Sequence, residues 1–464
     1  MTKQRTARNT YYLINLGCAK NAVDAASMAQ LLDEGGMIAS ESARQAEVLI
    51  VNTCGFINAA KAESLKTLRE LARRKRPDQY LIAAGCMAQR YGAELAAQVP
   101  GLDGVIGTRR WMDILELIRR LRARKHPEPL YHLPAEATTV GSDERGVLRA
   151  SVQGHSAYLK IADGCRRPCA FCAIPLIKGT AVSRPPDVII AEAQRLSAQG
   201  VQELILIAQD TTDYGHDLGM RDGLAHLLDR LTTETDIAWI RVMYAYPGAV
   251  TDHLIEIMAT RRQILPYLDM PLQHASRATL RRMRRPANLE WVYRTVEKMR
   301  AAMPGLALRT TFIVGYPGET EAEFEELVQF VRHMQFDRVG VFTYSFEENT
   351  LSAQQPNHLP EEVKQARREQ LMQVQQAISL AKNQAFVGRT LDVLIEGRGD
   401  GLTVGRSYRD APEVDGYVII EGEAPTDRPI VPVQITGAMI YDLVGRFANR
   451  SRDIFPLQAL EKRK

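Results

Sequence analysis

No apolar run in this chain of 464 residues approaches the ~20 that a membrane-spanning helix needs. The first ten residues carry three basic side chains, but no apolar stretch of the signal-peptide kind follows them. A strand-like run begins at once near Tyr11, so a cleaved leader is not expected. There is no repeat period and no low-complexity tract. The formal net charge is only +4, which does not by itself call for nucleic acid. Cysteine is scarce, with six residues in all. Without a secretory leader, a disulfide framework is a poor reading of them. A reducing, cytoplasmic setting is expected, in which the thiols serve metal ligation or catalysis.

All six cysteines fall into two sets of three. Cys165, Cys169 and Cys172 form a tight C-x₃-C-x₂-C run within ADGCRRPCAFCAIP. Cys18, Cys54 and Cys86 are spread out, each just past a strand-like run: YYLINLG, AEVLIVNT and YLIAAG. A helical pattern follows each, through Met28 and Leu32, from Ala59 to Arg74, and near Glu94. This strand–loop–helix grammar predicts a small parallel α/β sheet. Ligands bind outside the carboxyl ends of such strands, so cysteines far apart in sequence can converge there.

The remaining chain sorts into two further units. Between 123 and 150 the pattern breaks, and Pro127, Pro129 and Pro134 mark a linker. From 151 to 382, the runs SAYLKIADG, ELILIAQD, WIRVMYAYP, YLDMPLQH, LRTTFIVGYPG and RVGVFTYS alternate with helical patterns. That order predicts a complete or partial β/α barrel with its working residues at the carboxyl ends of the strands. After a polar helix over 360–383, glycine-punctuated β-like runs predict a small β-barrel over 383–446. The expected class is α/β: an N-terminal parallel domain over 1–122, the linker, the central barrel, the β-barrel, and a tail over 447–464.

Three thiolates per set matter because a cubane 4Fe–4S cluster takes four ligands, so three protein ligands leave one iron open. The alternative for the tight run is a zinc knuckle, which wants a fourth ligand. His155 is the nearest candidate, but it precedes the strand before the run. For the dispersed set the alternative is three unrelated buried thiols. Three equivalent strand ends with no cysteine left over argue against that.

The strand ahead of the tight run, and Phe171 just before Cys172, make this segment resemble the radical S-adenosylmethionine superfamily. The resemblance implies a 4Fe–4S cluster on Cys165, Cys169 and Cys172. Its open iron would chelate S-adenosylmethionine, and one electron would release a deoxyadenosyl radical. NLGCAKNAVD, VNTCGFI, AAGCMAQR and AYLKIADGC extend the resemblance to the methylthiotransferases over almost the whole chain. That family implies a second 4Fe–4S cluster on Cys18, Cys54 and Cys86, a partial radical barrel and a terminal TRAM β-barrel. GCAKNAVD, AQDTTDYG, ILPYLDMPLQHAS and GRSYRDAPEVDGYV look like the branch acting on small-subunit ribosomal protein S-twelve. Met87 and Gln89 look more like the branch that modifies an adenosine of transfer RNA.

Charge separates the branches independently. Residues 383–446 contain ten acidic residues, six arginines and no lysine. A module gripping RNA phosphates should be basic, whereas an acidic one suits a basic ribosomal protein. Glu413 and Asp415 of APEVDG are the expected contacts, the alternative being a merely solvated face.

By the same resemblance, Phe171, Gly315 and Gly318 mark the S-adenosylmethionine region, and Gln209, Gln273 and His274 join it as residues at strand ends facing the expected barrel mouth. The glycines equally fit an ordinary tight turn, and His274 a structural role. Asp210 falls at the same strand end as Gln209. Arg184 carries a fork suited to a carboxylate. The bursts Arg261–Arg262, Arg281–Arg282 and Arg284–Arg285 read as solvated faces or as contacts to ribosomal RNA. The implied reaction replaces a C–H bond on the aspartate β-carbon with C–S–CH₃, giving 3-methylthioaspartate. It uses S-adenosylmethionine twice and needs an electron donor and a sulfur source, with no membrane partner.

Overall fold

The computed structural model describes residues 9–123, 128–134, 146–425 and 428–448. Much of the linker segment, and nearly all of the tail 447–464, lie outside the described residues. Among the described residues, no helix is long and apolar enough to cross a membrane.

Six parallel strands make the N-terminal sheet, in the order 38–39, 10–15, 48–53, 80–85, 104–107 and 130–132. The central strands VLIVNT and YLIAAG are apolar nearly throughout because helices cover both faces. Ile50, Ile82 and Ile106 pack under Ala19–Glu34 and Ile114–Ala123, while Leu49, Leu81 and Val105 pack under the helices Asn58–Arg74 and Cys86–Gln98. The strand Leu130–His132 lies inside the stretch read as a linker, and these three residues belong to this sheet. Its proline flanks hid it: a three-residue edge strand carries almost no periodicity.

The second sheet runs Ser156–Lys160, Glu203–Ile207, Trp239–Val242, Ile264–Asp269, Ala307–Val314 and Arg338–Thr343, parallel and in chain order. It is an open, partial barrel. Ala150–Gln153 adds an antiparallel edge beside the first strand. Alternation divides each strand: Leu159, Leu204, Leu206, Ile240 and Leu308 face the outer helices, whereas Tyr158, Ile205 and Tyr267 face inward.

The terminal module is a closed five-stranded barrel, ordered 390–399, 402–407, 418–421, 443–447 and 430–438. Its loop 406–415 plugs the amino-terminal end of the partial barrel. There Arg406 and Arg241 donate to the two oxygens of Glu203, at 2.6 and 2.7 Å, and all three side chains are fully buried. Burial alone would raise the Glu203 carboxyl, but the two guanidiniums outweigh it and hold it at about 2, against 4.5 ordinarily. The folded value lies below the unfolded one, so this group's stabilisation is complete above about pH 4.5 and fades as pH falls toward 2. Glu203→Ala should cost about 3–5 kcal/mol by stranding two buried cations. Thermal unfolding at neutral pH checks this, and the deficit should narrow in acid.

Candidate active site

The dispersed cysteines end neighbouring strands. Cys54 and Cys86 directly follow the strands Val48–Thr53 and Tyr80–Gly85, and Cys18 caps the helix after the first strand. Gly17 has φ +96°, and a Cβ there would fall 2.8 Å from Cys54 Cβ. Only glycine lets the NLGC loop pass that close to Cys54. Gly85 has φ +93°, and its Cβ would strike Asn52 Oδ1 at 2.4 Å. Asn21 ties the loops together, donating to Leu16 O and Thr53 O while its Oδ1 lies 3.4 Å from Cys86 Sγ. Burial pushes the Cys86 thiol up to about 12, although Lys178 opposes it, and it raises Cys54 as well.

The tight set follows the first barrel strand, with the loop Cys165–Cys172 over the carboxyl ends. Burial pushes Cys172 up to about 12 and Cys165 to about 11. Ligation must therefore displace protons from both sets, as metal binding to thiols does. Arg285 Nη1 lies 3.6 Å from Cys169 Sγ. Arg285 and Arg167 both stack on Tyr246, at 4.3 and 4.2 Å from the ring centroid. Arg285 thus leaves the solvated face assigned to it. The turn at Arg284, with φ +53°, swings it inward, which a run of arginines does not reveal.

One short segment joins the two sets. Cys86 packs against Ala173 and Ile177, and Ala173 is the residue after Cys172. Arg109 fixes the same segment from the N-terminal domain, donating to Ile177 O and Leu176 O, both at 2.9 Å. A second seam is made by Arg90 on Glu347 at 2.9 Å and by Asn58 on Phe346 O at 2.9 Å. Beneath both lies a buried ion network: Lys160 and Lys178 each pair with Asp24 and Asp163, and Arg149 pairs with Asp24 at 2.9 Å. Burial would raise both carboxyls, but Lys160 and Lys178 hold them below the ordinary range. Lys178 sits near enough to Cys86 for the two to perturb one another.

The donor set fits iron–sulfur ligation. Each set offers three thiols with a cation alongside, Lys178 or Arg285, to offset thiolate charge. The backbone carbonyl of His155 accepts from Gln202 and Glu203 at the opposite end of the strand from Cys165. Gln209 Oε1 and Gln273 Oε1 are buried without partners at the carboxyl ends of strands, where a bound cofactor could supply donors. Asp210 is held by Arg167 at 2.7 Å.

Other expected site residues make contacts within the fold. His274 is buried, its Nδ1 accepting from Ser276 N–H and its Nε2 3.5 Å from Glu319. It braces the GYPGE turn, with Nε2 otherwise without a hydrogen-bond partner. A Cβ on Gly315 would fall 2.3 Å from Lys364 Cγ, so glycine is needed here to admit the helix Glu361–Gln384. At Gly318 a Cβ would have room, and φ +72° alone calls for glycine. Phe171 packs against the buried cluster of Met283, Tyr316 and Tyr344. Arg184 is spent on Glu192, at 2.8 and 2.5 Å. Arg282 pairs with Glu323, and Arg261 with Asp229.

The acidic contact is corrected in the same way. The Asp415 side chain is 1% exposed, accepts from Tyr267 at 2.7 Å and pairs with Arg309 at 3.3 Å. Glu413 remains exposed beside Gln153. Glu396 and Asp410 are likewise taken by Arg406 and Arg338, while Arg406 and Arg409 of the same module reach Glu203 and Asp337, so the net surplus is unchanged by burial. Gln89 accepts from Arg109 N–H, and Met87 packs on Gly55, so neither residue is free to read a substrate.

Three family profiles match in chain order: uncharacterized protein family UPF0004 at 10–107, the radical SAM superfamily at 159–331 and the TRAM domain at 387–447. With the paired thiol sets, they define a radical S-adenosylmethionine enzyme of the methylthiotransferase class. The ribosomal protein uS12 methylthiotransferase RimO of Chloroflexus aurantiacus is 50% identical over 451 residues, covering 94% of this chain and 99% of that protein. That of Symbiobacterium thermophilum is 48% identical over 440 residues, covering 93% and 90%. The chain belongs to this uS12 methylthiotransferase family. The radical S-adenosylmethionine methyltransferase TsrM from Kitasatospora setae shares the fold, with a TM-score of 0.56 at 13% identity over 85% of this chain and 77% of that one.

Proposed function

We propose that this enzyme methylthiolates the β-carbon of an aspartate in ribosomal protein uS12, in the cytoplasm, with an external electron donor and sulfur source. The observation that carries the reading is the packing of Cys86 on Ala173, next to Cys172, which sets two three-thiol groups against one segment. Cys18, Cys54 and Cys86 would hold one 4Fe–4S cluster, and Cys165, Cys169 and Cys172 the other. When bound, the clusters and S-adenosylmethionine supply the electron, the hydrogen-abstracting radical and the methylthio group. The protein's share is placement, since the target carbon must lie within reach of both centres.

The residues around the sets suit that task. Arg285, held on Tyr246, keeps a positive charge beside Cys169, and Lys178 does the same near Cys86. Gln209 and Gln273 offer buried acceptors to a bound cofactor. Phe56, Ile57 and Phe346 are exposed at the seam between the domains and suit an apolar rim that sheds water as a substrate loop enters. Among the exposed acidic residues of the terminal barrel, Glu413 is the favoured contact to a basic ribosomal protein.

The test is intact-mass analysis of ribosomal proteins from cells with and without this gene. One protein, uS12, should carry a methylthio group in place of one hydrogen only when the gene is present, and fragmentation should put it on an aspartate. An unchanged uS12 accompanied by loss of a modified transfer-RNA adenosine would overturn the assignment.

A further inference from the structure

A carboxylate side chain held between the thiol sets, as the proposed function requires, approaches a region made negative by ligated thiolates. A cation must face it there. Most cations nearby are already matched: Lys160 and Lys178 by Asp24 and Asp163, Arg167 by Asp210, and Arg309 by Asp269 and Asp415. Arg285 has no carboxylate, but its guanidinium is turned onto Cys169 Sγ and Pro271 O and stacked on Tyr246. Lys20 differs from all of these. It stands two residues past Cys18 in the first turn of the helix Ala19–Glu34, half-buried, with Nζ 3.1 Å from the centroid of the Tyr244 ring. Among the described residues, no carboxylate lies within ion-pair distance of it.

Tyr244 is held firmly for this contact. It follows the strand Trp239–Val242 at its carboxyl end with φ +62°, a strained backbone for an aromatic residue. Its N–H donates to Asp269 Oδ2 at 3.3 Å, and its carbonyl accepts from Thr211 N–H at 3.1 Å. Two residues on, Tyr246 carries Arg285, which reaches Cys169. Lys20 therefore connects the helix capped by Cys18, through Tyr244, to the strand end whose Tyr246 supports Arg285 and, through it, Cys169. The ring face steadies the ammonium, and its N–H donors can still meet an oxygen acceptor.

We infer that Lys20 receives the carboxylate of the target aspartate and so fixes its β-carbon between the thiol sets. This rests on the uS12 reading and adds the residue that makes the site specific for a carboxylate. An adenosine has none to offer.

The test uses the full-length chain, purified anaerobically with its clusters, in wild-type, Lys20→Met and Lys20→Arg forms of equal iron content and circular dichroism. The substrates are purified uS12 and uS12 with the target aspartate changed to asparagine. Binding is measured alongside deoxyadenosine and methylthiolated product. The wild type should prefer aspartate over asparagine by roughly ten- to a hundredfold, the loss expected for a charge-assisted contact. Lys20→Met should bind both forms equally and release deoxyadenosine in excess of product, and Lys20→Arg should recover part of the preference. An undiminished preference in Lys20→Met would overturn the proposal. So would a raised requirement for S-adenosylmethionine with the preference intact, which would put Lys20 on the cofactor. A wild-type chain that leaves uS12 untouched would instead remove the underlying reading.

Discussion

Cys169→Ala should abolish reductive cleavage of S-adenosylmethionine. Cys169 is the middle thiol of the tight run, and its Sγ is the one that Arg285 touches. Removing it leaves two thiols where three must hold a cluster and keep one iron open. Even partners that merely orient metal ligands are worth about 10–100-fold, so loss of a ligand should cost at least ~100-fold in deoxyadenosine formation. Methylthiolated uS12 should vanish with it. About half of the iron should remain, because the other thiol set is untouched. Deoxyadenosine assayed against iron content in the same anaerobic preparation checks both parts.

Cys54→Ala should separate the two activities. Cys54 is buried, with its N–H on Ser64 Oγ at 3.0 Å and its carbonyl accepting from Ser64 at 3.1 Å. Alanine keeps both of those backbone contacts, so the fold should survive. The tight set lies across Ala173 and keeps all its thiols, so deoxyadenosine formation should stay within a few-fold of wild type while methylthiolation falls by at least ~100-fold. Equal loss of both products would mean that the two sets do not divide the work as proposed.

The parts of this site that were legible in the sequence are those that local pattern carries. Cys18, Cys54 and Cys86 each follow an apolar strand, and strand-to-helix turns at carboxyl ends are where such sheets bind ligands. The C-x₃-C-x₂-C run, with Phe171 in it, is local too. What pattern did not carry was partnership. Asp415 looks like a loop carboxylate until Arg309 and Tyr267, from strands of another domain, are folded around it. Arg184 looks like a ligand-binding fork until Glu192 of the next helix fills it. Arg285 is one of several arginines in a burst, and only the left-handed turn at Arg284 sends it to Cys169. Charge counted along the sequence did not say which residues carry the acidity of the terminal barrel: Asp410 and Asp415 are paired with arginines of the partial barrel, while Arg406 and Arg409 are paired with Glu203 and Asp337 there.

The adjacency of the two thiol sets across Ala173–Lys178 is most directly tested by electron paramagnetic resonance of the fully reduced, two-cluster protein. Its spectrum should be broadened by spin–spin interaction and should differ from the sum of spectra from the two triple variants, Cys18→Ala/Cys54→Ala/Cys86→Ala and Cys165→Ala/Cys169→Ala/Cys172→Ala. A wild-type spectrum that equals that sum would put the centres too far apart to share one substrate carbon.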